Sequence, residues 1–179
     1  MTDQPFPSEA SPSGRRVLVA VVTGEAGGRI QAWRERHDPK QARRLPPHIT
    51  LCYWAPVVEP EPLERQVRHA FDRPVAVRLG SVHEFGNADH TFYVEVLDTA
   101  SLDEARTRLY DGTHLELPGR PDWTWHVTCV RYGVCRDLDE LRRLVTELSV
   151  DTVWQVDTVA YLELRGDRYA LLAEWHLTP

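Results

Sequence analysis

Two segments of the chain carry the same short pattern: a histidine, an apolar residue and a threonine inside a hydrophobic, β-branched run. Residues 47–54 read PHITLCYW and residues 125–132 read WHVTCVRY, so His48-Ile49-Thr50 and His126-Val127-Thr128 stand 78 residues apart. Side chains of a strand alternate between faces, which puts the His and Thr of each segment on one side, about 7 Å apart. Ile49 and Leu51, like Val127 and Cys129, point the other way, into a core. Each segment therefore needs a fold that buries one strand face and leaves imidazole and hydroxyl on the other. Eight His and 13 Thr in 179 residues give fewer than one such spacing by chance, and there are three. The third, His176-Leu177-Thr178, has no strand to continue it and reads as coincidence.

The surroundings of the two segments repeat as well. Residues 16–23 form a β-branched strand; residues 29–37 place Ile30 and Trp33 at helical spacing before Asp38-Pro39 stops the helix. After the strand at 47–54, Pro62 opens a helix with Leu63, Val67, Ala70 and Phe71 on one face, and a strand spans 75–82. The second round begins with a strand over 90–97, where Phe92, Val94 and Val96 alternate with Tyr93, Glu95 and Leu97. Ser101 with Glu104 reads as a capping box opening a helix that closes near Gly112. The strand at 125–132 follows, then a helix opened by Asp137 and Glu140, and a strand over 153–164. Gly166-Asp167 turns that strand back into 169–177 as a hairpin. Each half thus reads strand, helix, strand, helix, strand, and the expectation is two similar α/β lobes in one domain over residues 15–179. Residues 1–14, rich in Pro and Ser, are expected to be a disordered lead-in.

Charge and composition exclude several classes. A net charge of -6 argues against extended DNA or RNA binding, whose affinity comes from neutralised phosphates. No apolar run approaches the ~20 residues of a membrane-spanning helix, and the expected location is the cytoplasm. Cys52, Cys129 and Cys135 form neither a CxxC pair nor an even framework. His83 and His90 flank a turn without the spacing of a zinc site, so neither metal nor other cofactor is expected. Gly24, Gly27 and Gly28 follow a strand but lack the Lys-Ser/Thr ending of a phosphate-binding P-loop.

What remains is the pair of His-Thr faces. An imidazole beside a hydroxyl can grip a phosphoryl oxygen and pass a proton; two facing pairs supply a general base, a general acid and two phosphate anchors. PPHITLCY and WHVTCVRY resemble the paired HxTx signatures of the two-histidine (2H) phosphoesterase superfamily, which includes the "2'-5' RNA ligase" proteins and cyclic nucleotide phosphodiesterases. The resemblance covers about residues 15–177. It implies an α+β, bilobal, pseudo-twofold fold, in which two antiparallel sheets form a central groove with helices outside. It also implies metal-independent hydrolysis of a 2',3'-cyclic or related phosphodiester, with His48 and His126 catalytic and Thr50 and Thr128 binding phosphate. The substrate would be a nucleotide or RNA end, and the protein a monomer. Reversible 2'-5' RNA ligation and a non-catalytic nucleotide-binding module are the alternatives.

Five more residues are candidates for the site: Arg131 for phosphate, and Trp54, Tyr132, Arg43 and Arg44 for the groove. Trp54 and Tyr132 lie six positions beyond each His, on the His/Thr face of a regular strand, either as stacking walls or as caps of the core. Arg131 lies five positions beyond His126, where relatives also carry a basic residue. Strict alternation turns it away, so it reaches phosphate only through a bulge, twist or its own length. Between Arg29 and Arg44 six cations face two carboxylates; Arg43 and Arg44 come just before the first HxT strand. This is either a solvated helix face or a rim that steers an anion.

Overall fold

The computed structural model describes residues 14–55, 59–86, 90–111, 124–131, 137–148 and 150–177. The lead-in through residue 13, Tyr132 and Thr178 lie outside the described residues, as does most of the stretch between the fourth helix and the second HxT strand.

The strands are β1 (Arg16–Val21), β2 (His48–Ala55), β3 (Ala76–Glu84), β4 (Thr91–Leu97), β5 (His126–Arg131), β6 (Thr152–Gln155), β7 (Thr158–Arg165) and β8 (Arg168–His176). They form a sheet in the order β6-β3-β4-β5-β2-β1-β7-β8, every pairing antiparallel. Between β2 and β5 the pairing is a single register position, Ile49 opposite Val127. The sheet is therefore two four-stranded halves, joined at the midpoints of the two HxT motifs.

Five helices, α1 (Gly24–His37), α2 (Pro39–Arg44), α3 (Pro60–Ala70), α4 (Ala100–Tyr110) and α5 (Leu138–Val145), complete the described α+β fold. Ile30 and Trp33 of α1, Leu63 and Val67 of α3, Leu102 and Leu109 of α4 and Leu141 of α5 are all buried. They share one core with Leu18, Ala20, Ile49, Val94 and Val127 from the sheet. The i, i+3/i+4 spacing of these residues is what gives each helix a stripe to bury. The other sheet face carries, among the described residues, a small cluster of Val17, Val19, Ala160 and Leu162, with Leu45, Tyr53 and Tyr169 packed against it. One face is thus covered by helices, and the other is the groove.

The sequence halves are not the structural halves. β3, the last strand of the first round, pairs with β4, and β7, the last of the second, pairs with β1. One half of the sheet takes β3 from the first half of the chain, and the other takes the β7–β8 hairpin from the second. The single strand expected over 153–164 divides for the same reason. β6 pairs with β3 in one half and β7 with β1 in the other. At the crossing, Val156 N–H donates to Val75 O at 2.9 Å and Asp157 accepts the Thr23 hydroxyl.

Two helix ends also differ from expectation. Asp38-Pro39 ends α1 but opens α2: the Asp38 carboxylate accepts from Gln41 N–H at 3.0 Å and Pro39 supplies a first-turn residue that needs no N–H partner. Helix α4 starts one residue before Ser101, whose hydroxyl instead donates to Ala76 O at 3.1 Å. The Asp137 cap is present, accepting from both Asp139 and Glu140 N–H. The closing hairpin is present too, with Gly166 at φ 64°, a left-handed position that glycine occupies without strain.

Candidate active site

The register of the two halves builds the site. With Ile49 opposite Val127 in an antiparallel pair, the flanking His48 and Thr50 of β2 come beside the flanking His126 and Thr128 of β5. The two rings are close enough for charge on His126 to act on His48. Ile49 and Val127 are fully buried on the helix side, so the four polar side chains occupy the groove face. A cavity of about 100 Å³ is lined by His48, Thr50 and Thr128 together with Arg34, Arg44 and Arg131. One water needs ~10–15 Å³ of such volume, so the space holds several oxygen-sized groups.

Both imidazoles are oriented in the same way. His48 Nδ1 lies 2.7 Å from Pro46 O and His126 Nδ1 lies 2.8 Å from Thr124 O. A carbonyl oxygen can only accept, so Nδ1 carries the proton in each ring, and Nε2 is left with its lone pair. Burial pushes His48 down from 6.5 to about 3; the Pro46 carbonyl opposes this, and the charges of Arg34, His126 and Arg131 add to it. Burial lowers His126 as well, against the Thr124 carbonyl and with help from Arg131. Both rings are therefore neutral in the unliganded protein near pH 7.

A β-bulge follows each motif. In β5, Thr128 pairs with Tyr93 and Val130 with Phe92, leaving Cys129 as the extra residue. In β2, Thr50 pairs with Val19 and Cys52 with Leu18, leaving Leu51 extra. The fourth residue of each motif is thus a buried bulge residue, Leu51 and Cys129 both being fully covered. A bulge shifts alternation by one. The position that returns to the groove is consequently the fifth after each His, Tyr53 and Arg131, and both line the cavity. Arg131 lines the cavity after that bulge, one of the three routes its reading left open. The face assigned to Trp54 and Tyr132 assumed a regular strand; the Trp54 side chain and Tyr132 lie outside the described residues. Tyr53 was missed because the bulge leaves no composition signal.

The flanking cations separate. Arg44 lines the cavity, and its guanidinium carbon lies 5.6 Å from the Tyr169 ring centroid. Arg43 is exposed and does not line it. Arg34, one of the six cations of residues 29–44, is buried at 2% exposure and lines the cavity, which a solvated helix face does not predict. Asp38, fully buried, holds the α1–α2 junction against β5: besides Gln41 it accepts from Arg131 N–H at 3.2 Å. Beside His126 the walls are aromatic. Phe85 stacks on Tyr93 at 3.9 Å, and the two rings meet the His126 ring edge-on at 5.0 and 5.7 Å.

Among the described residues no three His, Cys, Asp or Glu side chains converge as metal ligands. His90 pairs with Glu84, and His83 lies 3.2 Å from Glu95. No described helix is long and apolar enough to cross a membrane.

Solved structures of the same fold exist. The Thermus thermophilus protein TT0787 aligns with a TM-score of 0.60 at 18% identity, over 91% of this chain and 97% of that one. E. coli LigT in its apo form aligns at 0.55 and 18%, over 94% and 100%; LigT complexed with 3'-AMP aligns at 0.51 and 16%, over 93% and 99%. No curated protein matches the chain in sequence. The model of the 2'-5' RNA ligase superfamily matches residues 23–168, both HxT motifs included. With the motifs, the fold and the family model in agreement, the chain belongs to the 2'-5' RNA ligase superfamily of two-histidine phosphoesterases.

Proposed function

We propose that the protein hydrolyses a 2',3'-cyclic or related phosphodiester of a nucleotide or RNA end, using two histidines and no metal. The observation that supports this reading is the Ile49–Val127 pairing, at which the two HxT motifs meet. A phosphorus atom between the pairs meets Thr50 and Thr128 hydroxyls at its nonbridging oxygens, where charge builds in the transition state. Arg131, brought round by the Cys129 bulge, adds a fixed positive charge beside them. That LigT has been crystallised with 3'-AMP supports a nucleotide ligand.

In this mechanism one neutral imidazole removes a proton from water as its oxygen forms the new bond to phosphorus. The other, protonated, gives a proton to the ribose oxygen as the old P–O bond breaks, leaving a phosphomonoester. His48 is the base: Arg34 and Arg131 both disfavour its charged form. His126, on which only Arg131 acts in that way, is the acid. The bound phosphate anion favours protonation of the ring beside it. Each proton transfer is worth ~10²–10⁴-fold. His48→Ala and His126→Ala are each expected to lower turnover of adenosine 2',3'-cyclic phosphate by at least that factor, and chelator to leave the wild type unchanged. Full activity in either variant refutes the mechanism.

A further inference from the structure

The cavity holds more positive charge than one reacting phosphate requires. Arg34 Nη2 donates to the carbonyls of Gln41 and Leu45, both at 2.8 Å, which locks the guanidinium in place. Its Nε and Nη1 are buried without a hydrogen-bond partner, and so is Nε of Arg44. Elsewhere in the molecule Arg16, Arg78, Arg108 and Arg142 each lie within 4 Å of a carboxylate. Among the described residues Arg34, Arg44 and Arg131 have no such ion pair. A guanidinium kept out of water is costly unless an anion compensates it, and each buried N–H without an acceptor adds to that cost. In a chain of net charge -6, three arginines line one cavity against the single buried carboxylate of Asp38, which acts on Arg34 and Arg131, and the unpartnered N–H groups of Arg34 and Arg44 leave positive charge there for an external anion.

The location of the charge shows that the anion is not only the reacting group. Thr50, Thr128 and Arg131 stand with His48 at the centre of the sheet. Arg34 and Arg44 come from α1 and α2, and the cavity continues past Val19 and Val17 of β1 to Tyr169 at the start of β8. β8 is three strand positions from β2, at about 4.8 Å per step. Resting on the reading above, we propose that Arg34 and Arg44 form a second anion subsite, so that the preferred substrate is a cyclic phosphodiester carrying a further phosphate. The rest of such a substrate extends over Tyr53 and the apolar floor. Among the described residues nothing comparable lies on the other side, where Phe85, Tyr93 and Glu95 flank His126.

The test compares adenosine 2',3'-cyclic phosphate with its 5'-phosphorylated form. The second phosphate is expected to raise kcat/KM at least tenfold, about 1.4 kcal/mol. Arg44→Gln is expected to bring the ratio below threefold, while Arg43→Gln, altering an exposed neighbour outside the cavity, keeps it. Arg34→Gln behaves like Arg44→Gln if its circular dichroism melt shows a folded protein; Arg44→Gln decides the matter if it does not. Calorimetry gives a readout without turnover: pyrophosphate binds at least tenfold tighter than inorganic phosphate, and Arg44→Gln removes the difference. Equal kcat/KM for the two nucleotides, or an Arg44→Gln loss of the same size for both, overturns the subsite. If neither nucleotide is turned over, the hydrolytic reading fails by itself, and the subsite then stands or falls on pyrophosphate against phosphate.

Discussion

Replacing His48 by Asn should flatten the pH dependence of folding stability, and the size of the effect follows from the burial of the ring. The imidazole titrates at 6.5 in the unfolded chain and at about 3 in the folded protein. Between those values the unfolded chain binds a proton that the folded protein refuses, so stability falls as pH falls through this window. It is fully present above about pH 6.5 and exhausted near pH 3. From pH 7 to pH 5 the linkage integral gives a loss of about 2 kcal/mol from this one group. His126 and His37 are also lowered by burial and add to the wild-type slope, whereas Asp38, raised by burial, acts in the opposite direction. All three are common to wild type and His48→Asn, so the difference between the two proteins isolates His48. Urea unfolding at pH 7, 6 and 5 measures it: with a slope of ~1–3 kcal/mol/M, the wild-type midpoint drops by roughly 1 M more than that of the variant. Curves that stay parallel within about 0.5 kcal/mol, or a His48 imidazole that titrates near 6.5 by NMR, refute the argument and put the ring in open water.

Two other outcomes follow from the same geometry. Because both imidazoles are lowered, the bell-shaped profile of kcat/KM, which reports the free enzyme, should peak below pH 6.5 rather than around the ordinary imidazole value. The kcat profile, which reports the substrate complex, should lie at higher pH, since a bound phosphate anion stabilises imidazolium; coincident profiles centred above pH 6.5 contradict both shifts. In α1, a Cβ at Gly27 would meet Val22 O at 1.9 Å, whereas one at Gly28 would meet nothing within 4 Å. Gly27→Ala should therefore destabilise by at least ~1–3 kcal/mol, and Gly28→Ala should stabilise by up to ~1 kcal/mol. Thermal melts that rank the two variants the other way exclude the close approach of α1 to the end of β1.

Each HxT strand was readable because a β-branched run with one polar face has few other solutions, and Ile49 and Val127 are buried as their spacing requires. Helix faces such as Leu63/Val67 and Leu102/Leu109 were readable for the same reason, a period that matches one buried stripe. What the residues did not reveal was pairing between distant segments. That β3 joins β4, and β7 joins β1, depends on which half of the sheet each strand completes, and local pattern is silent on it. Residues 153–164 looked like one strand because Val156 is apolar and sits in register; only tertiary pairing breaks the run there. Arg34 looked like solvated surface because it lies in a charged stretch. Its burial follows from α2, whose own start at Asp38-Pro39 resembled a stop signal.

Under the proposed mechanism, the site also explains how a symmetric scaffold would perform an asymmetric reaction. Backbone geometry is duplicated closely: the two histidines each donate Nδ1–H to the carbonyl two residues earlier, and the fourth motif residue is a bulge in both strands. The bulge then delivers the fifth residue to the groove, and there the halves diverge, Tyr53 on one side and Arg131 on the other. The next layer diverges further. Arg34 and Arg44 stand toward His48, whereas Phe85 and Tyr93 contact His126 and Glu95 is its cross-strand neighbour. A base that must stay neutral and an acid that must accept a proton need opposite electrostatic surroundings. Side chains supplied by non-equivalent elements, α1 and α2 on one side and β4 with the residue after β3 on the other, would provide that difference. Exchanging the roles would require moving the arginines, not the histidines.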